Sequence, residues 1–175
     1  PGHGQSAKTM ANPSLKTMTA ALTEFMKAVG IDAAHLVGHS MGGAIAMQLA
    51  HDDPGKVKSM TLICSAGLGP EIGDYVPSYI AAQGRKDLKP VLETLFADKG
   101  LVSRQLVDDV LKYKRLDGVE TFLKALAQSL FGGGVQQDAP GKAMAGGGPK
   151  ALVIWGKDDQ VMPAAHANNL PGAKV

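Results

Sequence analysis

An α/β fold with a mostly parallel sheet is the class this sequence predicts, and three stretches predict it. The run Ala34-His35-Leu36-Val37 leads into Gly38-His39-Ser40-Met41-Gly42, after which Met41, Ala44, Ile45 and Leu49 recur at helical spacing. From Val57 to Cys64 an alternating pattern gives way to continuous apolar residues, as in a strand buried on both faces. Ala151-Leu152-Val153-Ile154-Trp155 is a third short apolar run, set off by Gly146-Gly147-Gly148-Pro149. Strands separated by helical segments form a parallel sheet.

The elements follow in order. Pro1-Gly2-His3-Gly4-Gln5-Ser6 reads as a loop. Asn12 before Pro13 reads as a helix cap followed by a first-turn proline, and Leu15, Met18, Leu22, Phe25, Met26 and Val29 keep helical spacing until Gly30. The strand at Ala34 and the helix after Gly42 come next, then a turn at Asp53-Pro54-Gly55 and the second strand. Between the second and third strands the chain far exceeds a simple crossover, which takes about 30 residues per β-α-β unit. An inserted helical cap is expected there, with helical patterns from about Asp87 to Phe96, Ser103 to Arg115 and Val119 to Phe131. Glycines 132–134 and 146–148 at its exit read as hinges or plain linkers, and neither cluster carries the lysine and hydroxyl of a phosphate loop. Val175 falls in what reads as the start of another strand. The expected division is a core with the serine turn over 1–70, a helical cap over 71–145, and a core with an acidic loop over 146–175.

Composition narrows the function. The 175 residues carry a net charge of +2 with both signs interspersed, so no basic stripe points to nucleic acid or to an anionic membrane. No stretch approaches the roughly 20 apolar residues of a membrane span, and the first residues lack the basic and apolar regions of a signal peptide. The one cysteine, Cys64, ends an apolar run and cannot form an internal disulfide; it is expected to be buried and inert, in a cytoplasmic protein. No metal-ligand spacing is present.

Chemistry is expected at Ser40. A serine at the tip of a strand-to-helix turn takes a strained backbone conformation, so small residues are expected at Gly38 and Gly42, and Gly43 lets the helix lie close to the sheet. The helix N-terminus aims free N–H groups at whatever Ser40 attacks, which makes Met41 N–H the candidate oxyanion donor. A serine nucleophile needs a base and an acid that orients it. The acid candidate is Asp159, with Asp158 in reserve, on Gly156-Lys157-Asp158-Asp159-Gln160-Val161-Met162-Pro163 after the third strand. Asp159 also suits a plain turn or cap. Of the five histidines, His3, His35, His39 and His51 do not suit the base, and His166, in Ala-Ala-His-Ala-Asn, reads chiefly as a solvated helical position and only secondarily as a substitute base. Arg85, Lys86, Lys112, Lys114 and Arg115 read as a basic face for phosphates or, more plainly, as a solvated helical face. Met41, Met60, Met144 and Met162 read as core filler before pocket lining.

These motifs resemble the α/β-hydrolase family, which shows a P-G-x-G-x-S loop, a G-x-S-x-G nucleophile elbow and a strand followed by G-x-x-D-x-x-x-P; here they are Pro1 to Ser6, Gly38 to Gly42 and Gly156 to Pro163. The resemblance implies helices on both faces of the sheet, Asp159 as the acid, a catalytic histidine beyond Val175 and a second oxyanion donor before Pro1, with early strands and a final strand outside this chain. The 175 residues alone are therefore expected to be inactive and poorly stable. Three further strings, Ser65 to Ile72, Arg85 to Leu92 and Val107 to Gly118, are similar to the catalytic domains of acetoin dehydrogenase acetyltransferase (E2) subunits. That likeness implies transfer of an acetyl group from lipoamide to coenzyme A and, as partners, a lipoyl-bound or small-molecule acyl substrate and other subunits of a dehydrogenase complex. A capped hydrolase cleaving an ester or C–C bond and a non-catalytic binding module are the alternatives.

Overall fold

A computed structural model describes residues 1–175, the side chain of residue 145 excepted. Helix α1 spans Leu15–Ala28 and is capped by Ser14 rather than Asn12. Ser14 Oγ accepts from Thr17 N–H at 3.2 Å and Thr17 Oγ1 accepts from Ser14 N–H at 2.8 Å, a reciprocal box that satisfies two orphan donors. Asn12 instead takes a left-handed φ of 49° in the approach to the helix. The helix buries Leu15, Met18, Thr19 and Met26, whereas Phe25 and Val29, apolar positions of the same periodic pattern, are exposed.

Three parallel strands, β1 (Ala34–His39), β2 (Val57–Ile63) and β3 (Lys150–Ile154), lie in that order, with Gly38 opposite Leu62 and Leu62 opposite Val153. Beyond β3, Lys174 begins a further parallel pairing: Val153 N–H donates to Lys174 O at 2.7 Å and Lys174 N–H to Ala151 O at 2.9 Å. Helix α2 (Met41–Asp52) packs on β1 and β2, and Met47, Leu49, Met60, Leu62 and Val153 are each almost completely buried in the resulting core. Burial of each such side chain contributes about 1.5–3 kcal/mol. Residues of the alternate register point the other way: Val37 is 72% and Ile154 48% exposed, and His35 and His39 are exposed with them. Along β1 the outer edge has no strand partner among the described residues.

Between β2 and β3 the chain forms α3 (Tyr75–Ala81), α4 (Arg85–Glu93), α5 (Arg104–Lys114), α6 (Val119–Phe131) and the short α7 (Pro140–Ala143). Leu88, Leu92, Val102, Val107 and Leu111 make a separate small core of this helical insertion. Phe122, Leu126 and Leu130 of α6 join a different cluster, with Leu15, Met18, Ala44, Ala66 and Met162, so α6 is the helix that seats the insertion on the sheet layer. Tyr113 Oη donates to Gly2 O and His3 meets the Phe122 ring edge-on at 6.0 Å, which holds the first loop against the same helices.

Three of the five basic residues singled out in the insertion have partners within it. Arg85 pairs with Asp108, and Lys112 lies 3.5 Å from Asp109. Lys114 Nζ donates to the carbonyls of Tyr79, Ile80 and Ala82 at the C-terminus of α3, 4.7 Å above the Tyr79 ring, where cationic charge complements the helix dipole. Burial holds the Lys114 amine below its usual range and pushes the Tyr79 phenol up to about 12. Met60, Met144 and Met162 are core residues, and only Met41 of the four singled-out methionines is half-buried. No helix among the described residues is long and apolar enough to cross a membrane.

Candidate active site

Ser40 joins β1 to α2 with φ 52° and ψ −122°, a conformation L-residues avoid. Neighbouring backbone holds it there: Ser40 N–H donates to Ile63 O at 3.0 Å, and Ser40 O accepts from Gly43 N–H at 3.0 Å and Ala66 N–H at 3.1 Å. A Cβ at Gly38 would lie 2.6 Å from Gly43 N, so this position must be glycine for strand and helix to touch. At Gly42 a Cβ would meet nothing within 4 Å, which corrects the expectation that both flanking glycines are sterically compelled.

The second glycine that geometry does compel is Gly43, where a Cβ would lie 2.7 Å from the Cβ of fully buried Ser65. Gly43→Ala is therefore expected to destabilise the protein. Overpacking costs about 1–3 kcal/mol, only part of which the better helix propensity of alanine, about 1 kcal/mol, offsets. A thermal midpoint at or above that of the parent sequence would show the contact to be soft.

Ser40 is half-buried and its Oγ has no hydrogen-bond partner among the described residues, nor has the Met41 N–H at the start of α2. Asp159 follows β3 after a turn closed by its own N–H on Gly156 O at 3.2 Å. Its Oδ1 accepts from Val161 N–H at 2.8 Å and Met162 N–H at 3.0 Å, so the carboxylate does serve the turn. Asp158 is exposed. Ser40 and Asp159 thus lie beyond the C-terminal ends of β1 and β3, with β2 between them, and adjacent strands are about 5 Å apart. Cys64, at the end of β2, is half-buried rather than buried, with φ 42° and its N–H on Ile154 O at 2.9 Å. Burial, and to a lesser extent the neighbouring Asp159 carboxylate, push its thiol above the ordinary value, which favours the protonated form.

No histidine hydrogen-bonds Ser40 or Asp159 among the described residues. His3 contacts Pro1 O at 3.0 Å and His35 contacts Ser59 Oγ at 2.7 Å, both at the surface. His166, in a 3₁₀ turn over Ala164–Asn169, is 3% exposed instead of solvated. Its Nε2 lies 2.8 Å from Glu71 Oε2, its Nδ1 is buried without a partner, its ring meets Trp155 edge-on, and Gly69 packs against it. Its partner is the loop that leaves β2, which makes it a structural residue in this arrangement.

Hydrogen bonding from His166 holds the Glu71 carboxyl below the usual carboxylate range. A depressed carboxyl contributes stability above its unfolded-state pKa and loses it as pH falls through the lowered folded-state value. Glu71→Gln should therefore melt with a shallower loss of stability from about pH 5 to pH 3 than the parent. Identical slopes would show the pair to be inert, and the effect is small because Glu71 is exposed.

Sequence reasoning did not single out Gln136. It is 8% exposed, its Oε1 accepts from Gly67 N–H at 2.7 Å, its Nε2 donates to Glu71 O at 3.0 Å and its own N–H donates to Pro70 O at 2.9 Å. The return segment of the insertion is thereby tied to its outgoing segment. Two hollows flank these residues. One, of about 560 Å³, lies between α3 and α6 and is lined by Val76, Ile80, Gln83, Ala127, Gln128 and Phe131 among others. The other, of about 20 Å³, is bordered by Met41, Ala44, Ala66, Phe131 and Gln136. No cluster of metal-ligating side chains is present among the described residues.

The family profile of the alpha/beta hydrolase fold matches residues 1–174. Over its whole length the chain is 52% identical to the dihydrolipoyllysine-residue acetyltransferase component of the acetoin cleaving system of Cupriavidus necator and 43% identical to the component of the same name from Pseudomonas putida, covering 47% of each. It thus spans about half the length of the curated relatives it matches. Among solved structures, a meta-cleavage product hydrolase from Pseudomonas fluorescens superimposes with a TM-score of 0.85 at 22% identity, over 99% of this chain and 66% of that one.

Proposed function

The chain belongs to the alpha/beta hydrolase fold family, and on that premise we propose that it performs acyl transfer through Ser40, moving an acetyl group from lipoamide to coenzyme A within a multi-subunit complex. The observation that carries this reading is the backbone at Ser40: a serine held at φ 52° on a strand-to-helix turn, its Oγ unpartnered and the Met41 N–H unused beside it. Ser40 Oγ attacks the thioester carbonyl, and its proton goes to a base outside this chain that Asp159 orients. The tetrahedral oxyanion is stabilised by the Met41 N–H at the positive end of α2 and collapses to an acetyl-serine with release of the dihydrolipoyl thiol. The coenzyme A thiol then attacks the ester, the acetyl group leaves as a new thioester, and the serine regains its proton. Support for the acetyl group, the lipoyl carrier and the companion subunits comes from the relatives named as acetyltransferase components of an acetoin cleaving system.

The 560 Å³ hollow between α3 and α6 has room for part of an extended acceptor arm. Its walls are mainly apolar, Gln83 and Gln128 offer amide hydrogen bonds, and its lysine, Lys124, is paired with Glu120 at 2.7 Å. Such a lining favours an uncharged, amide-bearing chain over phosphates. The rival is hydrolysis of an ester or C–C bond, in which water takes the place of the thiol, and exclusion of water by the helical insertion decides between them. Incubating the complete gene product with acetyl-dihydrolipoamide and coenzyme A, then weighing the protein and its products, tests the proposal. Acetyl-coenzyme A formation through an acetylated Ser40 is expected; release of acetate alone would favour the hydrolase.

A further inference from the structure

We propose that Gly73 is a positioning residue for the acid: two residues before α3, its backbone meets both of the peptide groups that hold the Asp159 carboxylate, so the seating of the helical insertion sets the aim of that carboxylate. The inference rests on the acyl-transfer reading above, in which Asp159 orients a base, and adds to it the residue that fixes Asp159 in place.

Val161 N–H and Met162 N–H converge on Asp159 Oδ1 at 2.8 and 3.0 Å. A carboxylate pinned through one oxygen by two donors resists rotation, so the direction of Oδ2 is set by where those two amides lie. Each amide is one end of a peptide group whose other end is a carbonyl, and both carbonyls meet Gly73. The Val161 carbonyl, which shares its peptide group with Met162 N–H, accepts from Gly73 N–H at 2.7 Å. The Gln160 carbonyl, which shares its peptide group with Val161 N–H, comes so near that a Cβ at Gly73 would lie 2.6 Å from its oxygen. Gly73 does not take a left-handed φ, so what glycine supplies here is room for that carbonyl.

Peptide groups are planar and stiff, so a shift of either carbonyl is passed to the N–H at its far end. The bond from Gly73 also polarises the peptide group it reaches, which strengthens donation by Met162 N–H to the carboxylate. The loop around Asp159 has little slack to absorb a shift. Asp159 N–H donates to Gly156 O at 3.2 Å, Trp155 Nε1 donates to Met162 O at 3.3 Å, and Met162 is buried in the cluster that seats α6. On the other side of the contact, Ile72 packs against that same cluster, and Ile72, Gly73 and Asp74 form part of the wall of the hollow between α3 and α6. Gly73 thus joins the insertion to the acid loop through backbone atoms, where no rotamer change can loosen the contact.

The test is a double-mutant cycle on the complete gene product, with p-nitrophenyl acetate as the probe and turnover that survives Ser40→Ala subtracted. Gly73→Ala sets a Cβ against Gln160 O and is expected to lower kcat by about tenfold or more while KM changes less than about threefold. In an Asp159→Asn background the same change should cost less than about twofold, since an acid already without its charge loses nothing further by misplacement. A purely structural loss would lower both backgrounds alike. Equal losses in the two backgrounds, or no loss in either, would overturn the inference with the acyl-transfer reading intact. A parent without Ser40-dependent turnover, or an Asp159→Asn variant as active as the parent, would strike the reading above and this inference with it. Should Gly73→Ala fail to fold, hydrogen exchange at the Gly73 amide decides. Asp159→Ala, which frees the two donors, is expected to speed that exchange about tenfold or more while the amides of β2 are unchanged, and equal exchange in both proteins would overturn the inference.

Discussion

Ser40→Ala is expected to lower turnover of the complete gene product by a factor of about 10³ or more, because in the proposed mechanism it removes the one atom that would bond to the acyl group. The remaining machinery would still bind substrate, so KM should change far less than kcat. A companion change separates chemistry from stability. Ser40 sits at φ 52° and ψ −122°, where a Cβ is strained and glycine is not. Ser40→Gly is thus expected to be as inactive as Ser40→Ala yet to melt higher, with about 1–3 kcal/mol of strain relieved, less the backbone entropy that glycine costs. Activity retained in Ser40→Ala would remove both catalytic readings that run through Ser40.

Asp159→Asn is expected to lower kcat by about 10³–10⁴ with little change in melting temperature. The reason lies in the division of labour within one carboxylate. Oδ1 accepts from Val161 and Met162 N–H at 2.8 and 3.0 Å, and an asparagine oxygen can accept both bonds, so the turn survives. The negative charge that would orient a base and stabilise it once protonated does not survive. Asp159→Ala loses both and should in addition be less stable by about 1–3 kcal/mol, since two N–H donors are left without acceptors. If Asp159→Asn kept full activity and only Asp159→Ala suffered, Asp159 would be a turn residue alone.

Much of the site was legible because it is local. A strand run, Gly38-His39-Ser40-Met41-Gly42 and a helical pattern suffice to place Ser40 at a turn and Met41 N–H at a helix start, and the structure places them so. The longer insertion helices were legible for the same reason, since Arg104–Lys114 and Val119–Phe131 carry their own apolar periodicity, whereas the short Tyr75–Ala81 and Pro140–Ala143 were not read. Misreadings arose where two local signals competed or where contact with a distant segment decided. Asn12 and Ser14 both offer a cap, and the reciprocal bond with Thr17 selects Ser14. Gly42 matches the family motif, yet of the three glycines around Ser40 it is Gly38 and Gly43 that meet a neighbour forbidding a side chain.

Sequence alone determined the fold class, the order of the strands, the longer helices and the serine turn, though not the short α3 and α7, because periods of two and 3.6 residues and the demands of a tight turn are written within a few neighbours. Tertiary structure decided which polar residues matter around that turn. Gln136 reaches Gly67 across 69 positions and His166 reaches Glu71 across 95, and in each case burial of a polar group makes its partner obligatory. Local pattern carries no trace of such a pair, since a glutamine after a glycine run and a histidine among alanines look the same whether solvated or buried. The chain must fold before desolvation gives those side chains a role.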